Sequence, residues 1–140
     1  MRMSKNKFFL GFAEYVAEQS RAKRLKVGAV IVKDDNILGY GFNGTPAGRP
    51  NECEDLKGNT KPEVLHAEMN ALMKVSRTTQ SCEGATIYTT ERPCMNCAKL
   101  IVASGIQKVV YRHNRKDDDE PLHFLSDCGV FVERTFGGSY

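Results

Sequence analysis

The sequence lacks any apolar run that approaches the roughly 20 residues of a membrane-spanning helix. Basic Arg2, Lys5 and Lys7 precede the apolar segment 8–13, but Glu14 ends that segment too early for a secretory signal. Internal repeats, low-complexity tracts and linkers are missing as well. These absences lead us to expect a soluble, cytoplasmic protein with no membrane partner.

A strong excess of one charge is also missing, since 20 Lys and Arg face 17 Asp and Glu for a formal net charge of +3. This mildly basic balance is compatible with an anionic substrate. It is far from the dense positive stripe of a dedicated nucleic-acid binder. We therefore expect no nucleic-acid partner.

Cysteine is sparse and odd in number. Of the five cysteines, Cys53, Cys82 and Cys128 are scattered without the spacing of a disulfide framework, which favours a reducing compartment. The length of 140 residues and the hydrophobic content of 41% suffice for one ordinary core. We therefore expect residues 1–140 to form a single domain.

One pair of motifs carries most of the chemical information. His66-Ala67-Glu68 is followed, after a strand-like stretch, by Pro93-Cys94-Met95-Asn96-Cys97. One imidazole and two thiolates fill the three protein positions of a catalytic zinc site and leave the fourth position open. His-x-Glu with Pro-Cys-x-x-Cys is typical of zinc-dependent nucleobase deaminases, in which the glutamate moves protons and does not bind the metal. The motifs predict zinc on His66, Cys94 and Cys97, with Glu68 as general acid and base.

A Cys-x-x-Cys pair can also belong to a structural zinc knuckle or a redox dithiol. A structural site needs a fourth ligand, and the remaining cysteines form no second Cys-x-x-Cys or Cys-x-x-His pair. A redox pair should follow the first strand of its fold, whereas Cys94 follows at least three predicted strands. Neither alternative accounts for Glu68.

Hydrophobic periodicity predicts the order α-β-β-α-β-α-β-α-β. The predicted helices cover 5–19, 66–75, the segment from Pro93 to a Gly105 cap, and 122–128; the strands cover 27–32, 37–42, 85–89, 108–111 and 130–133. We expect the first helix to pack through Phe8, Phe9, Phe12, Tyr15 and Val16, and the third through Ala98, Leu100, Ile101 and Val102. The Gly- and Pro-rich segment 43–62 is a predicted loop.

Alternating strands and helices predict a mostly parallel sheet with an antiparallel hairpin at its edge. The fold class is thus α/β, a three-layer α/β/α arrangement around a five-stranded mixed sheet. The zinc ligands would lie where two helices start against that sheet.

The chain resembles the cytidine deaminase superfamily, and more closely its deoxycytidylate (dCMP) deaminases. The segments that carry the resemblance are 27–32, 41–48, 66–72, 84–90 and 93–99. The zinc motif is shared across the superfamily, whereas segment 41–48 and Asn70 favour the deoxycytidylate branch. The resemblance implies a cytidine deaminase-like fold and a single deaminase catalytic domain.

The resemblance also implies the reaction. One zinc per chain would activate water, Glu68 would transfer protons, and dCMP would become dUMP and ammonia, supplying dUMP for dTMP synthesis. The small Ala67 would let its backbone approach the pyrimidine. Asn43 would contact the sugar; the alternative is a role in an Asx turn, to which Gly44 and Pro46 also point.

Phosphate recognition is less defined by the sequence. Arg24, Lys26, Arg112, Arg115 and Lys116 all lie at predicted element ends. We expect Arg24, Lys26 and Arg115 to bind the substrate, with the two arginines preferred because a guanidinium can hold phosphate in a bidentate way. Many relatives carry an aromatic residue near Arg115, and this chain departs from that pattern.

Further implications of the resemblance concern regulation. A homohexamer is implied, with dCTP as activator and dTTP as inhibitor, and Mg²⁺ would accompany the triphosphate effector. The predicted effector-binding residues are Gly44, Thr45, Arg49 and Asn51. The acidic run 117–120 is interpreted as a solvated loop, with magnesium binding as the alternative. The alternative function is a tRNA adenosine or other polynucleotide base deaminase.

Overall fold

The computed structural model describes residues 2–115 and 117–136, and Lys116 lies outside them. Within these residues the predicted element order is confirmed. The elements are α1 (Lys5–Ala17), β1 (Gly28–Lys33), β2 (Asn36–Phe42), α2 (Ala67–Ser76), β3 (Thr86–Glu91), α3 (Met95–Ala103), β4 (Lys108–His113), α4 (Glu120–Asp127) and β5 (Phe131–Arg134). No helix in the described ranges is long and apolar enough to cross a bilayer.

The described strands form one mixed sheet in the order β2-β1-β3-β4-β5. Strand β1 is antiparallel to both of its neighbours, β2 and β3, whereas the neighbouring pairs β3–β4 and β4–β5 are parallel. The five-stranded mixed sheet is confirmed, but antiparallel pairing extends beyond the expected edge hairpin to β1 and β3. The crossover through α2 makes β3 parallel to β2, yet it passes over β1, so β3 pairs with a strand of opposite direction.

Helices cover both faces of the sheet, which confirms the three layers. Alternate side chains of β1 point to opposite faces. Ala29 and Ile31 join the core under α2, α3 and α4, whereas Val30 and Val32 join the core under α1. Both cores are apolar and closely packed against the strands.

Two predicted helix faces differ from the structure. Helix α1 buries Phe9, Leu10, Ala13, Val16 and Ala17. Phe8, Phe12 and Tyr15, which we expected in the core, are exposed. The apolar stripe of this helix is wider than its contact with the sheet. Gly28 lets the helix backbone lie close to β1, since a Cβ there would lie 2.1 Å from the Ala13 oxygen. In α3, Leu100 is likewise exposed and Ile101 is buried.

Close contact between α2 and β2 depends on Gly41. A Cβ atom at this position would lie 2.4 Å from the Ala71 nitrogen and 2.6 Å from the Ala67 oxygen, both backbone atoms of α2. Asn70 reinforces the contact by donating a hydrogen bond from Nδ2 to the Phe42 oxygen at 2.8 Å. Strand β2 thereby fixes the first turn of α2, which carries His66 and Glu68.

Replacement of Gly41 by alanine should therefore lower the free energy of unfolding by about 1–3 kcal/mol, because α2 would have to move away from the strand. Gly39→Ala is a matched control, since its Cβ would meet the Val75 Cγ2 methyl group at 2.9 Å rather than backbone. Denaturant unfolding of both variants checks this. Equal stability of the two variants would contradict the packing role of Gly41.

Candidate active site

Three metal-ligating side chains meet where two helices begin. His66 is the N-cap residue of α2, and Cys94 is the N-cap residue of α3. Cys97 lies in the first turn of α3 and is buried. We expected Pro93 inside the helix and Cys94 on its face; both instead precede the helix, which begins at Met95. The positive ends of both helix dipoles stabilise thiolates at this position.

The distances fit a tetrahedral zinc ion. His66 Nδ1 lies 3.2 Å from Cys97 Sγ and 3.4 Å from Cys94 Sγ, and the three ligand atoms lie within 4.8 Å of one another. Zinc bonds of ordinary length at tetrahedral angles separate N and S by about 3.6 Å. Among the described residues this is the only such group of three or more His, Cys, Asp or Glu side chains. The donor set and its spacing therefore suit Zn²⁺.

The two thiols have opposite pKa shifts in the absence of metal. The hydrogen bond from Cys97, with a smaller contribution from the contact with His66, lowers the pKa of Cys94 to about 3. The pKa of Cys97 is raised far above its ordinary value, first because its hydrogen is held by Cys94 and then because the thiol is buried. Cys94 is thus a thiolate, and Cys97 retains its proton at neutral pH.

Glu68 is a buried carboxylate beside this group. It occupies the first turn of α2 and is only 5% exposed. Its negative charge also contributes to the raised pKa of Cys97, so it faces the ligand cluster. A buried carboxylate at this place can exchange protons with a group bound at the metal.

A cavity of about 540 Å³ opens from the ligand cluster. This volume lies in the range of small-molecule sites. His66, Ala67, Glu68 and Cys94 form its polar wall around the metal site. The remaining lining residues are Ala22, Arg24, Leu25, Val27, Asn43, Cys53, Glu54, Thr60, Val64, Glu91, Arg92 and Arg115.

The predicted phosphate ligands are placed unequally. Arg24 and Arg115 line the cavity, and both are exposed enough to reach a ligand. Lys26 is exposed but is absent from the described lining of the cavity. Arg112 is buried and donates a hydrogen bond to Glu14 Oε1 on α1. The cavity therefore retains the two arginines as the cations available to an anion.

Asn43 lines the cavity and also has structural contacts. Its Oδ1 accepts from the Val27 nitrogen at 2.9 Å, and its Nδ2 donates to the Leu25 oxygen at 2.8 Å. These bonds hold the segment that follows Arg24 against the end of β2. Asn43 therefore has a structural role in holding this segment, and its contact with the sugar stays a prediction.

The predicted effector residues lie on a separate surface loop. Gly44 pairs with Leu65 through two backbone hydrogen bonds of 3.1 and 2.8 Å. Thr45 Oγ1 donates to the Pro50 oxygen, and Arg49 contacts Glu63 at 3.5 Å. Asn51 Oδ1 lies 3.9 Å from Cys53 Sγ. None of the four belongs to the described lining of the cavity, but the Gly44–Leu65 pairing ends next to His66.

Sequence reasoning missed three charged residues of the cavity. Glu91 accepts a hydrogen bond from Arg115 Nε at 2.9 Å, and the buried Arg92 binds the segment after β4. Glu54 accepts from the backbone nitrogens of Lys23 and Arg24 at 2.8 and 3.2 Å. The sequence feature that could have revealed two of them is the adjacent pair Glu91 and Arg92, between an apolar strand and Pro93. Charged residues at the end of a buried strand require partners.

A protein-family comparison agrees with this geometry. The family described as "Cytidine and deoxycytidylate deaminase zinc-binding region" matches residues 3–113. That range contains the three ligands, Glu68 and the whole zinc motif.

Individual relatives cover most of the chain. The deoxycytidylate deaminase of Mycobacterium phage D29 is 41% identical over 120 residues, which cover 76% of this chain and 92% of that protein. The Homo sapiens deoxycytidylate deaminase is 35% identical over 121 residues, or 81% and 67% of the two chains. The dCMP deaminase of cyanophage S-TIM5, crystallised with dCMP and dUMP, has a TM-score of 0.90 at 39% identity and covers 96% of this chain and 100% of that chain.

Zinc uptake by the metal-free protein should release about one proton near neutral pH, because Cys97 must lose its proton to bind while Cys94 has already lost its own. Affinity for zinc should accordingly fall as the pH is lowered. Calorimetry in buffers of different ionisation enthalpy measures the released protons. Cys128→Ser, at an exposed cysteine, is the control and should behave like the parent protein. Zinc binding without proton release would contradict the assignment.

Proposed function

Because this chain belongs to the cytidine and deoxycytidylate deaminase family, we propose that it hydrolyses dCMP to dUMP and ammonia and so supplies dUMP for dTMP synthesis. The observation that carries the proposal is one cavity that combines the His66, Cys94 and Cys97 cluster with buried Glu68 and two arginines. Residues 1–140 would act as a single deaminase catalytic domain.

The chain's own residues divide the chemistry between them. His66, Cys94 and Cys97 would hold zinc, which supplies a Lewis acid that makes a water molecule more acidic. Glu68 would take one proton from that water and deliver it to N3 of the cytosine ring as the oxygen adds to C4. It would then take the second proton from the hydroxyl now on C4 and pass it to the amino group, which leaves as ammonia. Burial keeps the Glu68 carboxylate away from bulk water, so its protons pass to the substrate.

Substrate binding follows from the other cavity residues. Ala67 has no side chain beyond Cβ, so the start of α2 can lie against the pyrimidine ring. Asn43 would contact the deoxyribose, since its amide retains hydrogen-bonding capacity beyond the two backbone contacts it makes. Arg24 and Arg115 would bind the phosphate, and Lys26 would contribute only long-range charge from the exposed surface.

Regulation and assembly are part of the same proposal. The loop that carries Gly44, Thr45, Arg49 and Asn51 would bind dCTP as activator and dTTP as inhibitor, and its pairing with Leu65 would transmit binding to His66. Mg²⁺ would be bound through the phosphates of the effector, because the described acidic residues offer no cluster for it. We further propose a homohexamer in the cytoplasm, with no membrane or nucleic-acid partner.

Glu68→Gln should reduce kcat by at least about 100-fold while zinc content is retained, because the amide keeps the size of the side chain and cannot transfer protons. Ammonia release and metal analysis of the same preparation check both parts. Glu18→Gln, at an exposed position outside the cavity, is the control. Loss of zinc from the Glu68 variant would reassign this residue to metal binding.

Substrate choice is tested by turnover of dCMP, deoxycytidine, CMP and a tRNA, each with and without dCTP and magnesium. We expect dCMP to be preferred. Arg115→Ala should raise KM for dCMP by about 10- to 100-fold, the loss expected for a charge-assisted hydrogen bond, and leave deoxycytidine turnover unchanged. Lys99→Ala, on the exposed face of α3, is the control. Preference for tRNA would favour the polynucleotide alternative.

A further inference from the structure

Two consecutive residues at the end of β3 bind the same segment of chain. Glu91 contacts Arg115, and Arg92 contacts Asn114, Asp118 and Asp119. We propose that Glu91 and Arg92 are positioning residues that hold residues 114–115 and 118–119 beside the cavity and aim the Arg115 guanidinium at the substrate's phosphate. This inference rests on the proposed dCMP activity and extends it to residues outside the zinc motif.

Glu91 determines how the guanidinium is presented. Its side chain is 11% exposed, whereas that of Arg115 is 58% exposed, so a largely buried carboxylate holds an exposed guanidinium. The 2.9 Å contact uses Nε of Arg115. A guanidinium has five N–H donors, and one N–H from each of its two terminal nitrogens can bind phosphate oxygens in a bidentate way. With Nε held by Glu91, that edge can turn toward the cavity.

Arg92 fixes the segment on both sides of Arg115. Its guanidinium is 2% exposed and donates to Asn114 Oδ1, to the Asp118 carbonyl oxygen and to Asp119 Oδ1, the last at 2.9 Å. Burial of a guanidinium is costly without hydrogen-bond partners. The three contacts satisfy the terminal nitrogens of Arg92, whereas its buried Nε has no partner among the described residues, so the terminal nitrogens restrain the residues that they bind. The acidic run therefore provides acceptors for a buried cation rather than only a solvated surface.

The positions of Glu91 and Arg92 connect the two halves of the site. Glu91 pairs with His113 across the parallel strands β3 and β4, and the Arg92 nitrogen donates to the His113 oxygen at 3.1 Å. Pro93 and the ligand Cys94 follow at once. Cys94 and the proposed phosphate ligand Arg115 are thus joined by one short, hydrogen-bonded stretch of backbone, which sets the distance between them.

Because the Arg115 side chain is 58% exposed, solvent screens its ion pair with the largely buried Glu91, and the pair contributes little to stability. Its effect should therefore be seen in substrate selectivity. We expect Glu91→Gln to lower kcat/KM for dCMP by about 10-fold or more, through KM, while kcat/KM for deoxycytidine changes less than about two-fold. Zinc content and the unfolding midpoint should stay at parent values.

Coupling to Arg115 is measured by a double-mutant cycle. Added to Arg115→Ala, the Glu91→Gln change should have no further effect on dCMP turnover, because the oriented group is already gone. Glu133→Gln, which removes the carboxylate of the Lys108–Glu133 pair away from the cavity, is the matched control and should leave both substrates unaffected.

Arg92 is tested through an exposed partner, because truncation of a buried arginine can prevent folding. Asn114→Ala removes one acceptor of Arg92 and leaves the buried guanidinium its other contacts. We expect Asn114→Ala to lower kcat/KM for dCMP, but not for deoxycytidine, by a smaller factor than Glu91→Gln does. Arg92→Lys should lower it by the same factor as Glu91→Gln, because an ammonium group cannot bind all three acceptors.

The outcomes separate this inference from the proposed function. A parent protein that prefers dCMP, with a Glu91→Gln variant that loses dCMP and deoxycytidine turnover equally, would overturn the positioning role alone. Additive effects of Glu91→Gln and Arg115→Ala would also overturn it. A parent protein that turns over deoxycytidine as well as dCMP would refute the proposed substrate, and the inference with it.

Discussion

The constraint on which the structure depends is the meeting of two helix N-termini against one face of the sheet. Helices α2 and α3 begin where one imidazole and two sulfurs come within 4.8 Å of one another. Gly41 permits the close approach of α2, and parallel strands β3 and β4 place α3 beside it. The ligand set and the buried Glu68 follow from this convergence, because each belongs to the first turn of one helix or to the residue before it, and the cavity opens from them.

The cavity is balanced in charge rather than strongly basic. Arg115 is paired with Glu91, Arg92 with Asp119, and Glu54 accepts from the backbone beside Arg24. Such a site offers a few directed cations to one anionic group, whereas a polynucleotide needs many cations along its backbone. The modest net charge of +3 agrees with this. The electrostatics of the cavity therefore favour a mononucleotide. Glu91 and Arg92 contribute by fixing the position of the exposed cation Arg115.

Sequence alone predicted that the His66 imidazole and the Cys94 and Cys97 thiols come together, since these residues and Glu68 fall within two short motifs whose spacing reflects local helix geometry. It also predicted the element order. It did not predict the antiparallel β1–β3 pairing. The hydrophobic pattern of a segment does not show whether the crossover to the next strand skips a neighbouring strand. The exposed Phe8, Phe12 and Tyr15 were misassigned because periodicity gives a helix face but not the width of its contact. Arg92 was missed because its acceptors lie 22 to 27 residues away.

The most direct test of the central claim is X-ray absorption spectroscopy at the zinc edge on the purified protein, before and after addition of dCMP. The structure predicts one zinc with two sulfur ligands near 2.3 Å, one imidazole and one further light atom supplied by solvent, and a fourth ligand that changes when the nucleotide binds. A spectrum with three or four sulfurs, a closed set of protein ligands that is indifferent to dCMP, or no bound zinc would contradict the account.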